Sequence, residues 1–141
     1  MHQEISDRLN LQPTRTHTKG EPRGFRQKDG SISPSIVWND SAWILTSPLE
    51  RDRNLAEHIK WLLDAIEPRG EAINALRAEC TLIRLFCGFA SHDGQGGFTL
   101  DADTLGRISK LGLNVDLDLY PPTDLEASED EAKEQPKTIV H

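Results

Sequence analysis

The sequence contains few cysteines. Cys80 and Cys87 are the only two among 141 residues, and they lie seven positions apart. Because side chains alternate along a strand, this odd spacing places the two on opposite faces and argues against a disulfide between them. We expect two buried or half-buried thiols.

Long apolar stretches are also missing. No apolar run approaches the length that spans a membrane, and the N-terminus lacks the hydrophobic segment of a signal peptide. These absences predict a cytoplasmic protein without membrane contact. The chain length predicts one domain, which we place at residues 1–121.

An excess of positive charge is missing too. The formal net charge of −7 argues against a general nucleic-acid binder. The charge is uneven, because residues 13–28 contain five basic residues and one acidic residue, a net charge of +4. Residues 122–141 are acidic with almost nothing to bury, and we predict that they form a disordered tail.

The basic residues lie in a segment, 13–35, that has neither helical nor strand periodicity and is predicted to be a basic loop. Two interpretations are open. The loop either contacts an anion or phosphate, or is solvated while its arginines pair with the acidic remainder of the protein. The candidate binding residues here are Arg15, His17, Lys19 and Arg23.

The region 80–120 carries the clearest fold signals. Residues 81–90 are rich in branched and aromatic side chains and predict a strand. Asp101 is placed to cap a helix that ends at Gly112. The segment 113–120 alternates apolar and polar side chains and predicts a half-buried strand. The predicted inward residues of the helix and this strand are Leu105, Ile108, Leu111, Leu113, Val115, Leu117 and Leu119.

Upstream, residues 3–11 suit a short amphipathic helix, and Asp29-Gly30-Ser31 is a turn signal before two strand candidates at 36–38 and 43–45. A capping-box spacing predicts that a helix begins at Ser47. An apolar stripe with helical spacing follows, formed by Leu55, Ile59, Leu62, Leu63 and Ile66. Together the elements predict an α+β fold: a small mixed or antiparallel sheet with amphipathic helices packed on one face.

The polar side of the last strand offers a second candidate site. If strand 81–90 is its neighbour, the side chains on this face are Arg84, Phe86, Asp116, Asp118 and Tyr120. Two aspartates with a histidine such as His92 or His58 would suit metal binding or acid–base chemistry. The favoured alternative is a solvated sheet face with an aspartate paired to Arg84. No metal and no cofactor is predicted.

Two local patterns imitate known sites. Ser91, His92 and Asp93 have the chemistry of a triad, but adjacent residues cannot align as nucleophile, base and orienting group, so a turn is the better interpretation. Gly94-Gln95-Gly96-Gly97 lacks the lysine and hydroxyl residue of a phosphate-binding P-loop.

Several segments resemble one protein family. They are Glu4–Glu21, Trp43–Ser47, Glu57–Asp64, Gly96–Leu100 and Leu117–Tyr120. The chain resembles the uncharacterised bacterial family called domain of unknown function 4279 over most of residues 4–120. The resemblance implies a small bacterial α+β protein and supplies no activity, cofactor or catalytic residue. It also implies a strand before the helix that contains Ile5, which we expect to be absent from this chain.

The functional hypothesis is a non-enzymatic macromolecular binding or accessory protein, with a regulatory or toxin-neutralising role and a protein partner. It would bind through the polar sheet face and the basic loop, because aromatic side chains rimmed by charge are typical of interfaces. The alternative is a small hydrolase or phosphate-ligand enzyme that uses Asp116, Asp118 and His92. A nucleic-acid partner is disfavoured by the net charge.

Overall fold

A computed structural model describes residues 1–90, 96–120 and 139–140 of the chain. Its helices and strands, in chain order, are α1 His2–Leu9, β1 Arg15–His17, β2 Ala42–Ile44, α2 Leu55–Ile66, α3 Gly70–Leu76, β3 Arg84–Ala90, α4 Ala102–Lys110, β4 Asn114–Tyr120 and β5 Ile139–Val140. Within these ranges, no helix has both the length and the apolar composition needed to cross a bilayer.

The strands form two small sheets. Strands β1 and β2 pair in antiparallel fashion, and the second sheet has the order β4-β3-β5. Its central strand β3 is parallel to β4 and antiparallel to β5. Parallel neighbours need a crossover connection, and α4 lies in the one between β3 and β4. The predicted α+β class is confirmed, with a mixed sheet.

Helix α2 supplies the centre of the core. All five residues of its predicted apolar stripe are buried, and Ile59, Leu62 and Leu63 are fully buried. The helix packs against β3 and α4. Its predicted start at Ser47 is wrong. Asn54 caps the helix and forms a reciprocal capping box with Glu57, directly ahead of the stripe. The helix therefore begins at this cap and not at the capping-box spacing of Ser47.

Helix α4 begins where the sequence predicts. The Asp101 carboxylate accepts a hydrogen bond from the Thr104 amide at 2.8 Å. Ile108 and Leu111 are buried as predicted, but Leu105 is 49% exposed and Thr104 is fully buried. The inward stripe is therefore 104, 108 and 111, at helical spacings of four and seven, and Leu105 lies one position round the helix from it.

The predicted core face of β4 is correct only in its first half. Leu113 is buried and Val115 is half-buried, whereas Leu117 is 49% and Leu119 is 67% exposed. The register places Leu117 beside Cys87, which is fully buried. Because β4 lies at one end of the strand order and α2 packs against β3, the second half of β4 keeps its leucines in contact with solvent.

Arginine side chains connect the helices by hydrogen bonds. Arg69 donates hydrogen bonds to the carbonyls of Leu9 and Asn10, at the end of α1. Arg77 donates to the carbonyls of Leu111 and Gly112, beyond the end of α4. These bonds satisfy carbonyls that a helix end leaves without intrahelical partners.

A third arginine, Arg107 of α4, donates to the carboxylates of Asp64 and Glu67 at the end of α2. Its guanidinium holds the pKa of Glu67 below its usual range, because the hydrogen bonds favour the ionised carboxylate. The contact fixes α4 to α2 on the solvent side of their packed faces.

Two predicted segments differ from the structure. Within the predicted basic loop 13–35, Arg15–His17 form β1, because β2 offers a partner strand that periodicity within the segment does not reveal. In the predicted disordered tail, Ile139–Val140 form β5, where two β-branched residues meet the edge of β3 that β4 leaves open. The other residues of the tail, 122–138 and 141, lie outside the described ranges.

Replacing Leu85 by alanine is predicted to lower the free energy of unfolding by about 2–5 kcal/mol, because Leu85 is fully buried. The matched change Leu119→Ala should alter it by less than about 0.5 kcal/mol, since the side chain is largely exposed. Urea denaturation of both variants measures the difference. A loss for Leu119→Ala as large as that for Leu85→Ala would contradict the exposed position of Leu119.

The cap of α4 predicts a pH dependence. The hydrogen bond from the Thr104 amide lowers the pKa of Asp101 from 3.8 to about 2 in the folded protein. A lowered folded-state pKa stabilises the fold above the ordinary value, and the stabilisation is lost as the pH falls through about 2.

We therefore expect wild type to melt a few degrees above Asp101→Asn at neutral pH, since asparagine caps without a charge, and the gap to close near pH 2. Thermal melts at several pH values test this. Asp101→Ala should melt below wild type at neutral pH, because alanine removes the cap. A gap between wild type and Asp101→Asn that does not change with pH would refute the assignment.

Candidate functional site

The predicted site residues lie in two separate places. One is the polar face of the β3–β4 pair, and the other is the segment that connects β1 to β2. His92, which the enzymatic alternative requires, lies outside the described residues, as do Ser91, Asp93, Gly94 and Gln95. The two places have different charge arrangements.

On the sheet face, Arg84 forms an ion pair with Asp116. This pairing is the one that the solvated-face interpretation predicts. The Arg84 guanidinium also lies over the Phe86 ring, 5.3 Å from its centroid. Strand register places Phe86 beside Asp116, so the three side chains form one group.

Asp118 and Tyr120 extend the same edge strand. Asp118 pairs in register with Gly88, so no side chain stands opposite it on β3, and it is half-buried. Tyr120 is 42% exposed, and both it and Phe86 have further interactions. The face therefore combines one neutralised carboxylate, a second carboxylate and two aromatic rings.

These residues do not assemble a metal site with the described histidines. His58, named as a possible third ligand, instead approaches Ser47, with 3.0 Å between its Nδ1 and the Ser47 Oγ. Over the described ranges, no group of three His, Cys, Asp or Glu side chains could hold a metal ion.

The Ser47–His58 contact brings together a nucleophile-type and a base-type side chain, which the sequence analysis did not anticipate. Ser47 is buried, and its Oγ also accepts a hydrogen bond from the Leu49 amide. A cavity of about 480 Å³ lies nearby, lined by Pro48, Leu49, Glu50, Asp52 and Arg53, but neither Ser47 nor His58 lines it. A buried hydroxyl outside the cavity wall is placed to hold the segment before α2, and a substrate would not reach it.

The segment between β1 and β2 is an irregular hairpin. Its arms are joined by backbone hydrogen bonds at several levels, from the Gly20 amide to the Trp38 carbonyl near the base to the Gln27 amide and the Ser31 carbonyl near the tip. Gly30 has a φ of 85°, so the predicted turn at 29–31 is present at the tip. We call residues 15–44 the basic hairpin.

Trp38 is the centre of the basic hairpin. The His17 imidazole stacks on it with a centroid distance of 3.8 Å and an interplanar angle of 12°. The guanidinium carbons of Arg23 and Arg15 lie 4.4 Å and 5.0 Å from the same ring centroid. One indole is therefore in contact with an imidazole and two guanidinium groups, an arrangement favoured by cation–π attraction.

Asp40 holds the His17 side chain in place. His17 is only 5% exposed, and its Nε2 lies 3.2 Å from the Asp40 Oδ1. Its Nδ1 is buried and has no hydrogen-bond partner among the described residues. Lys19, the remaining predicted residue of the loop, has an exposed side chain, and its amide donates to the Ser41 Oγ.

The five basic residues of the hairpin have no carboxylate partner among the described residues: Arg15, Lys19, Arg23, Arg26 and Lys28. Elsewhere, basic residues such as Arg8, Lys60 and Arg107 do form ion pairs with acidic side chains. The only glutamate of the loop, Glu21, accepts the Thr18 amide. Pairing of the loop arginines with acidic side chains is therefore not observed within the described residues, and the acidic residues of 122–138 lie outside them.

Trp38 is the residue of this cluster that the sequence analysis missed. Counting outward from the turn at Asp29-Gly30 would have found it, because the observed partners 23 with 36, 21 with 38, 17 with 42 and 15 with 44 keep nearly one register. That register places Trp38 at the level between Arg23 and His17. The Asp-Gly turn was thus an unused signal for the site.

The two cysteines differ in burial, and their chemical labelling tests the packing of β3. Burial raises the pKa of the Cys87 thiol to about 11, and burial also raises the pKa of Cys80, which is only partly covered. We predict that a disulfide reagent labels Cys80 first and Cys87 only as fast as the protein unfolds. The variant Cys80→Ser should then show no fast phase. Fast labelling of Cys87 in that variant would contradict its burial.

Comparison with known proteins gives a family and no activity. Searches of curated proteins and of solved structures each yield no significant match. Residues 2–122 match the family described as Domain of unknown function (DUF4279). Since this match covers well over half of the chain, the protein belongs to the family of domain of unknown function 4279.

Proposed function

We propose that the protein is a non-enzymatic binding protein of the bacterial cytoplasm, an accessory protein with a regulatory or toxin-neutralising role, and that its partner is another protein. The observation that carries the proposal is the basic hairpin, where five exposed cations have no carboxylate partner among the described residues. Other described arginines, such as Arg8, Arg77 and Arg107, form ion pairs or bind helix-end carbonyls, and the contrast with these five cations supports a partner that supplies acidic groups.

The hairpin also exposes apolar surface. Phe25 is 39%, Ile32 54% and Ile36 42% exposed, and the Arg23 guanidinium lies 5.3 Å from the Phe25 ring centroid. Protein interfaces are enriched in aromatic side chains and arginine, with apolar anchors inside a polar rim. Cations that alternate with exposed apolar side chains therefore favour a protein partner.

The sheet edge offers a second area of contact. Leu117 and Leu119 are exposed on one side of β4, with Tyr120 at its end and Asp118 on the other side. An edge strand with exposed leucines is a surface that another protein can cover. The hairpin carries the proposal, and the edge strand supports it.

The enzymatic alternative has less support. A small hydrolase or phosphate-ligand enzyme would use Asp116 as a free carboxylate, but Asp116 is paired with Arg84. Its remaining members would be Asp118 and His92. A protein partner is also favoured over nucleic acid, because the chain as a whole carries a net charge of −7.

The test compares two variants with the same change in net charge. Lys19→Ser with Arg23→Ser removes two cations from the hairpin, and Arg53→Ser with Lys110→Ser removes two exposed cations outside it. Each tagged protein is expressed in the native host, and the proteins that co-purify are quantified. We expect wild type and the outside variant to retain a stoichiometric partner, and the hairpin variant to lose it by about tenfold or more.

Two results would count against the proposal. One is the absence of any stoichiometric partner with wild type. The other is equal loss of the partner in both variants, which would show that net charge alone governs the contact. Circular dichroism of both variants checks that each remains folded.

A further inference from the structure

We infer that Arg15, Arg23 and Trp38 form an acceptor for carboxylate side chains, and that the segment it binds is an acidic stretch of a protein partner. The inference rests on the proposed function and specifies the chemistry of the partner. It follows from the contacts of one indole ring, the burial of His17 and the surface on which the cluster lies.

The two guanidinium groups share one aromatic contact and have no described ion-pair partner. Both lie within 5.0 Å of the Trp38 centroid, and neither forms an ion pair with a described carboxylate. Like charges held against one ring repel, and a bound carboxylate would reduce the repulsion. Guanidinium is also the group whose planar donors match a carboxylate in a bidentate pair.

The Trp38 ring is held in position before any partner binds. Trp38 stacks on His17, and His17 is buried and fixed by Asp40. Stacking on the ring limits the rotamers of both arginines, so less entropy is lost when they bind an anion. His17 and Trp38 are therefore positioning residues, and the arginines make the contact.

The surroundings favour an acidic polypeptide. Arg15 and Arg23 are exposed, so the acceptor is an open surface that an extended chain can follow. Arg23 also lies near Phe25, which places an apolar contact next to the charged one. A nucleic acid would instead bring a long row of phosphates against a protein whose net charge is −7.

The experiment measures binding of a short glutamate-rich peptide by calorimetry and follows the Trp38 indole N–H by NMR. The first variant is Arg15→Gln with Arg23→Gln. The control, Arg26→Gln with Lys28→Gln, removes the same charge from the same hairpin but leaves the two Trp38 arginines. A third variant, Arg15→Lys with Arg23→Lys, keeps the charge and loses the planar donors.

We expect wild type and the control to bind the peptide with similar Kd and to shift the Trp38 signal. The first variant should raise Kd by about tenfold or more, since two charge-assisted contacts are lost. The lysine variant should bind several-fold more weakly than wild type. A glutamine-rich peptide of the same length should not bind.

Three outcomes would overturn the inference. Equal losses in the first variant and the control would show general electrostatic attraction. Preference for a phosphorylated peptide or a single-stranded oligonucleotide over the glutamate peptide would assign a different ligand class. No binding of the glutamate peptide would exclude the carboxylate acceptor. It would not affect the proposed function, which the co-purification experiment tests separately.

Discussion

Ile59, Leu62 and Leu63 of α2 have no exposed surface, and the helix that carries them packs against both β3 and α4. Most of the other elements are placed by this burial. Strand β3 contributes Leu85 and Cys87 to the same core. Helix α4 follows β3 along the chain and connects it to the parallel strand β4. Burial of apolar side chains provides most of the favourable free energy, and it fixes which face of each element points inward.

Charge is distributed around this core in two ways. Arg69, Arg77 and Arg107 satisfy helix ends and join helices, and Arg84 neutralises Asp116 on the sheet. Among the described residues, the hairpin cations instead contact aromatic rings or solvent. The fold uses arginines for internal bonds in one region and leaves those of the proposed binding surface without a described carboxylate partner.

The candidate site was predictable in part. Arg84 and Asp116 lie on neighbouring strands, and alternation along each strand places them on one face, so their pairing followed from local patterns. Arg15, His17 and Arg23 were identified by composition alone. Their convergence on Trp38 depends on contacts across fifteen or more positions of an irregular hairpin. Periodicity reports only on neighbours within one element, and therefore it gave no indication of this cluster.

The sequence by itself determined the α+β class, the apolar stripe of α2, the cap at Asp101 and the end of α4 ahead of Gly112. Each of these depends on interactions within a few residues, which the local pattern specifies. The start of α2 at Leu55 is equally local, because Asn54 and Glu57 form its capping box. Only the tertiary structure decided that Leu117 and Leu119 meet solvent and that β1 forms inside the basic segment. Those outcomes depend on which distant element covers a face or offers a pairing edge, and helix or strand periodicity does not contain that information.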